Sequence, residues 1–237
     1  MRMEIAGAVL YPQDCHLAPH RFMADLQRAV TGAGGEIAFQ SEVTGWRFDS
    51  RRIFAAQTAR GAIEGDEFVL CGGAWSPGLA RALRLAIPMQ AGKGYALTLP
   101  RPPQLPRHCA ILAEARVAVT PMASALRFGG TMEIAGINAR IDPRRVRGII
   151  HAVPHYFPEF SPADFTGLRP WSGLRPCSPD GLPYLGRTRA YANLTLATGH
   201  AMMGLSLGPV TGQLIAAILS GENPAQDLSL LDPDRYA

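Results

Sequence analysis

The chain has 237 residues, 47% of them hydrophobic and 18% charged, with a formal net charge of +4. That is ample for a sizeable core in one large domain or two small ones, and it excludes a disordered chain. Lys93 is the only lysine, and the arginines are scattered apart from Arg51-Arg52 and Arg144-Arg145-Arg147. The basic stripe with interleaved aromatics that nucleic-acid binding needs is absent, so no nucleic-acid partner is expected.

Cys15, Cys71, Cys109 and Cys177 lie far apart with no CxxC pair. No metal site is expected, and reduced, cytoplasmic thiols are the simplest reading. The longest apolar run, within Leu205 to Leu219, is interrupted by Pro209, Thr211, Gly212 and Gln213 and falls short of a membrane span.

Pro19 stands at a first helical position, with Phe22, Met23, Leu26, Ala29 and Val30 on one face and an end at Gly32. Glu36 to Phe39 and Val43 read as short strands, and Trp46 to Ile63 as a meander turning near Asp49-Ser50 and Gly61. Asp66 to Cys71 is a compact apolar strand running into Gly72-Gly73. Ser76 then caps a helix with Pro77 at its first position.

From Met89 the character changes. Tyr95, Leu97 and Leu99 alternate, Pro100 to Pro106 is a proline-rich loop, and Ile111–Thr120 and Leu126–Ile137 read as strands. Asp142-Pro143 starts a helix with Val146, Ile149, Ile150 and Val153 at helical spacing, limited by Pro154 and Pro158. After Trp171 the first style returns. Asn193 to Ala197 is a buried strand, Gly199-His200 a turn, and a helix from Leu205 or Pro209 to Leu219 is closed by Gly221.

The order of several fragments resembles one family. FVLCGGAWSPGL (68–79), Ile87-Pro88 through Gly92-Lys93-Gly94-Tyr95, Arg127 to Glu133, GLRPCSPDGLPYLG (173–186) and GHAMMG (199–204) are similar to the FAD-dependent D-amino-acid dehydrogenase, glycine and sarcosine oxidase group, closest to its dehydrogenase branch. The resemblance implies an α+β (α/β) fold: a partial Rossmann-like FAD-binding domain, 16–88 and 171–237, interleaved with an antiparallel-sheet substrate domain, 1–15 and 89–170. It implies FAD as cofactor and oxidative deamination of a small amino acid or secondary amine. It also implies a quinone or other electron acceptor and a cytoplasmic location, with peripheral association at the inner membrane.

The family's G-x-G-x-x-G turn, which seats the FAD pyrophosphate at a helix N-terminus, is not found in this sequence. Gly32-Ala33-Gly34 and Gly92-Lys93-Gly94 do not complete the spacing. The chain therefore reads as the C-terminal portion of such an enzyme, and a complementary FAD-binding chain or a homo-oligomer is the implied partner.

Arg175 matches the position of a carboxylate-binding arginine, a planar two-pronged donor suited to that task; pairing with Asp180 is the structural alternative. Met202-Met203 stands where the glycine oxidase pattern has a second arginine, implying either a more apolar side-chain pocket or plain packing. Tyr95 is a candidate pocket residue or a core aromatic. Gly199, His200, Met203, Gly204 and Leu205 are candidates for contact with the flavin, where a helix N-terminus would stabilise the reduced ring. Gly72, Gly73, Ala74 and Trp75 are candidates for close backbone approach to the cofactor, and Val43 for contact with its adenine. No residue is assigned as catalytic.

Overall fold

The computed structural model describes residues 3–237. Along the chain run α1 (Pro19–Gly32), β1 (Val43–Phe48), β2 (Ile53–Thr58), β3 (Gly61–Glu64), β4 (Phe68–Leu70), α2 (Ser76–Ala82), β5 (Gln90–Leu99) and β6 (Ala110–Leu112). Then follow β7 (Val117–Met122), β8 (Ala125–Ile134), α3 (Pro143–Tyr156), β9 (Trp171–Cys177), β10 (Tyr184–Arg187), β11 (Leu194–Thr198) and α4 (Gly204–Leu219). They form two compact units. One comprises Met1–Ile37, Lys93–Glu133 and Asn138–Gly173; the other comprises Ala38–Gly92, Ile134–Ile137 and Leu174–Ala237.

The first unit is built on a sheet of order β6-β7-β8-β5-β9, in which β6–β7 and β7–β8 pair antiparallel. Asp142 caps α3 by accepting the Arg144 N–H at 2.8 Å. The helix buries Val146, Ile149 and Val153 in a core with Leu97, Val117, Phe128 and Phe157. Gly130 permits the close approach, because a β-carbon there would stand 3.2 Å from Ile149 Cγ1. Pro154 lies inside the last turn rather than ending the helix, which runs on to Tyr156. So near the C-terminus the missing proline N–H forfeits a single hydrogen bond. Lys93 is buried, and its ammonium donates to Asn138 Oδ1 and, at 3.0 Å, to the Arg140 carbonyl. The α1 helix buries none of its residues. Residues 36–39, expected as a strand, adopt no regular structure.

The second unit holds two three-stranded sheets, the antiparallel meander β1-β2-β3 and a sheet of order β10-β11-β4. In the latter, β10–β11 is antiparallel and β11–β4 parallel. Its core joins Ile53, Leu70, Leu83, Ile87, Tyr184 and Leu196. Asn193 is buried and fully engaged. Its Nδ2 donates to the carbonyls of Ile53 (2.8 Å) and Asp66 (2.9 Å), and its Oδ1 accepts the Ile53 N–H at 3.0 Å. One side chain thereby joins the starts of β2, β4 and β11.

Candidate functional site

In the second unit, the Arg175 loop and the Gly199 turn are joined by main chain. The end of β9 carries Arg175, half-buried. Cys177 pairs with His200 in an isolated antiparallel bridge, and the Ala201 N–H donates to the Pro176 carbonyl at 3.0 Å. The Cys177 thiol turns back to the Arg175 carbonyl at 3.6 Å. So the Arg175 segment and the Gly199–Gly204 turn form one rigid piece.

Backbone geometry shapes that turn. Gly199 has φ +86°, and a β-carbon there would stand 3.1 Å from Tyr184 Cδ2. Ala201 takes φ +48°, a conformation rarely held by a residue with a side chain. The Met203 N–H closes the turn on the His200 carbonyl at 2.9 Å. From Gly204 the chain enters α4, whose N-terminus has no side-chain cap, leaving backbone N–H groups and the positive end of the helix dipole open. Met202, Met203 and Leu205 are exposed.

His200 is fixed from α4, where its Nε2 lies 3.0 Å from Thr211 Oγ1. Burial pushes its pKa below the usual 6.5, favouring the neutral ring. That suits a hydrogen-bonding pin between turn and helix.

The Gly72–Trp75 turn is tied to the same place. Gly73 has φ +54° with open space around its α-carbon. Ala74 is buried and Trp75 is 56% exposed. Ser76 does not cap α2: no side-chain cap bond is made, and Ser76 is itself the first helical residue. Its hydroxyl instead lies 3.0 Å from Thr198 Oγ1, which also donates to the Gly73 carbonyl at 3.3 Å. Ser76 and Thr198 were not anticipated as site residues. A threonine at the end of a buried strand, just before Gly199, was the available signal.

Other expected residues lie elsewhere. Val43 opens β1 opposite Thr58, in the separate meander sheet. Asp180 is engaged by Arg235, whose Nε and Nη2 reach its two carboxylate oxygens at 2.8 and 3.1 Å. Tyr95, in the first unit, is 2% exposed. Its hydroxyl donates to Glu133 and accepts the Asp142 N–H at 3.4 Å. An open groove of about 1010 Å³ in the first unit, between residues 3–16 and 107–114, is lined by none of the expected residues.

The donor set fits the ring end of a flavin: backbone turns, an uncapped helix start, and exposed Trp75, Met202 and Met203. It does not provide a phosphate-holding turn. Gly32-Ala33-Gly34 falls at the C-terminal end of α1, and Gly92 to Gly94 lies within β5. Neither opens a helix. Among the described residues no cluster of three or more His, Cys, Asp or Glu could hold a metal, and no helix is long and apolar enough to cross a membrane.

Known proteins share this fold. The profile of the family described as FAD dependent oxidoreductase (DAO) matches residues 2–218. The D-amino acid dehydrogenase of Bradyrhizobium diazoefficiens is 33% identical over 242 residues, covering 100% of this chain and 56% of that protein. The glycine oxidase of Pseudomonas aeruginosa is 34% identical, covering 85% of this chain and 53% of its own length. The crystal structure of Geobacillus kaustophilus glycine oxidase superposes with a TM-score of 0.82 at 27% identity, covering 90% of this chain and 57% of that one. The chain thus spans little more than half the length of these relatives. On the family match and the shared fold together, it belongs to the FAD-dependent oxidoreductase (DAO) family.

Proposed function

We propose that this chain forms the substrate-facing and flavin-ring portion of an amine oxidoreductase of the D-amino acid dehydrogenase and glycine oxidase type. The observation that carries the reading is the main-chain clamp between the Arg175 segment and the Gly199–Gly204 turn. It sets the Arg175 segment and a helix N-terminus in fixed relation.

When bound, FAD supplies the two-electron acceptor for the hydride on the substrate α-carbon, leaving an imine that water hydrolyses to a 2-oxo acid and an amine. The chain's own residues then have defined tasks. The Arg175 guanidinium takes the substrate carboxylate through two parallel N–H donors. The open N–H groups at the start of α4 favour negative charge beside the turn. Gly72 and Gly73 let backbone approach the cofactor without a side chain between. Met202 and Met203 offer an apolar surface to the substrate side chain. No protein base is needed if the amine arrives neutral. A quinone or another electron acceptor then reoxidises the flavin, in a cytoplasmic enzyme working at the membrane surface.

The test is amino-acid-dependent dye reduction by the flavin-loaded protein. Arg175→Ala should raise KM for amino acids sharply and Arg175→Lys should restore it poorly. An unchanged KM in both variants removes the carboxylate assignment.

A further inference from the structure

The last residues of the chain grip the loop between β9 and β10. After a short helical turn, Ser229–Leu231, an arm of residues 232–236 lies against β10. Arg189, just past β10, ties it down: its N–H donates to Asp234 Oδ2 at 2.6 Å and its Nη2 to Asp232 Oδ2 at 2.5 Å.

Arg235 is the centre of this arm. A guanidinium has five N–H donors, and this one meets five acceptors. Nε and Nη2 reach the two Asp180 oxygens at 2.8 and 3.1 Å, and Nη2 also reaches the Leu182 carbonyl at 2.8 Å. Nη1 serves the Pro183 and Asp232 carbonyls, each at 3.2 Å. The cation lies 4.0 Å from the centroid of the Tyr184 ring and 5.2 Å from that of Tyr236. With its side chain only 13% exposed, this bidentate, stacked fork differs from the loosely held pairs of a protein surface.

The loop it holds, 178–183, joins two segments that meet the Gly199 turn. Upstream, Ser178 Oγ donates to the Leu182 carbonyl at 2.7 Å, and its neighbour Cys177 pairs with His200. Downstream, Tyr184 stands opposite Thr198 in the β10–β11 ladder, and its ring is what crowds a β-carbon at Gly199. Tyr184 is fully buried and its hydroxyl donates to the Pro88 carbonyl at 2.5 Å. Both routes begin at Arg235 and end at the turn clamped to the Arg175 segment. The family profile ends at residue 218, short of this arm.

We propose that Arg235 is a positioning residue of the site. Through Asp180 and Leu182 on one side and Tyr184 on the other, it holds the Arg175 segment and the Gly199–Gly204 turn in the arrangement that takes the substrate carboxylate. Arg235 acts through these residues and not on the reacting atoms. A carboxylate fork preset in this way binds without first having to be ordered. This inference rests on the amine oxidoreductase reading of the site.

Hydrogen exchange on the 237-residue chain tests the mechanical half without flavin. The reporters are the Leu182 amide, bonded to Asp180, and the Ala201 amide, bonded to the Pro176 carbonyl. Ala55 and Ala56, inside β2, are the reference. Wild type is brought with urea to the global stability of Arg235→Ala, so general loosening is equal in both. Leu182 and Ala201 should then exchange about tenfold faster in the variant, with Ala55 and Ala56 unchanged. Arg235→Lys keeps a cation beside Tyr184 without the five-donor fork, so it should release the same two amides by a smaller factor. It decides the matter if the alanine variant does not fold.

In the flavin-loaded protein, Arg235→Ala should raise KM for amino acids about tenfold and leave kcat within about twofold, since the lost positioning serves ground and transition states alike. In an Arg175→Ala background the same change should add almost nothing, because the two residues act in one chain. Equal loosening of all four amides, or a KM effect that persists in full without Arg175, would overturn the proposal. The two readings fail separately. Selective release of Leu182 and Ala201 in a protein that oxidises no amino acid sinks the oxidoreductase reading and leaves the positioning intact. Amino-acid oxidation indifferent to Arg235→Ala does the reverse.

Discussion

Ser76 Oγ and Thr198 Oγ1 lie 3.0 Å apart, both side chains buried, although 122 residues separate them in sequence. The pair links the turn after β4 to the turn after β11, and Thr198 extends the link to the Gly73 carbonyl. Thr198→Val removes both contacts and leaves the Ser76 hydroxyl buried without that partner, a loss of about 1–3 kcal/mol. Ser76→Ala leaves Thr198 its bond to Gly73 and should cost about 1 kcal/mol or less. Urea unfolding at constant m-value measures both. Equal costs, or a larger cost for Ser76→Ala, would show that the pair does not organise the two turns.

Two glycines of the site separate strain from crowding. Gly73 and Gly199 both have positive φ, +54° and +86°. A β-carbon on Gly73 meets nothing within 4 Å, whereas one on Gly199 meets Tyr184, Met89 and Pro183. Gly73→Ala should therefore cost about 1–2 kcal/mol for the left-handed backbone alone. Gly199→Ala adds displacement of the Tyr184 ring and should cost about 1–3 kcal/mol more. Thermal melts of the two variants decide it, and a Gly199→Ala protein as stable as Gly73→Ala would mean Tyr184 yields freely.

Acid should loosen the second unit through Asp180. The Arg235 guanidinium, with the Leu182 N–H, holds its carboxyl well below the usual carboxylate range. A depressed pKa means that the unfolded chain binds the proton more readily. The stabilisation is thus complete above the unfolded value, about 4, and is lost as pH falls toward the folded one. Asp180→Asn should lower the thermal midpoint at neutral pH and flatten its decline below about pH 4. Parallel acid limbs for wild type and variant would remove Asp180 from the account. Arg235 also stacks over the Tyr184 ring at 4.0 Å, and burial first of all raises that phenol to about 12. Loss of the aspartate therefore frees a cation that still has an aromatic face to rest on.

Local chemistry was legible in the sequence wherever it acts within a few residues. Pro19 and Gly32 bound α1, Asp142 caps α3, and Gly61 opens β3 after the turn of the meander. Ser76 looked like a helix cap because the Ser-Pro pair has that chemistry. Its hydroxyl is captured instead by Thr198, a partner no local spacing reveals. The same limit applies to the site. Arg175 and the Gly199 turn could each be named from sequence, but their bridge through Cys177, Pro176, His200 and Ala201 is long-range main-chain pairing. Local pattern carries no signal for such pairing. The Asp180–Arg235 pair was hidden for the same reason, and Arg175 was the nearer candidate by sequence.

Tyr95 offers the sharpest division between a core and a pocket role. It lies in β5 with 2% exposure, its hydroxyl bound to Glu133, which in turn faces Arg145 Nε at 3.6 Å. Burial, then the Glu133 carboxylate, raises its pKa above 10, so the phenol is protonated at any working pH. Tyr95→Phe keeps the ring and its packing and removes one buried hydrogen bond, at a cost of about 0.5–1.5 kcal/mol. If Tyr95 is a core residue anchoring Glu133 and the start of α3, the variant should lose that stability while KM for amino acids stays within about twofold, since 1.4 kcal/mol of lost binding would already be a factor of ten. If its hydroxyl instead meets substrate, KM should rise by about tenfold with little change in the unfolding midpoint. The 2% exposure and the engaged hydroxyl favour the first outcome, and paired steady-state kinetics and urea melts distinguish the two.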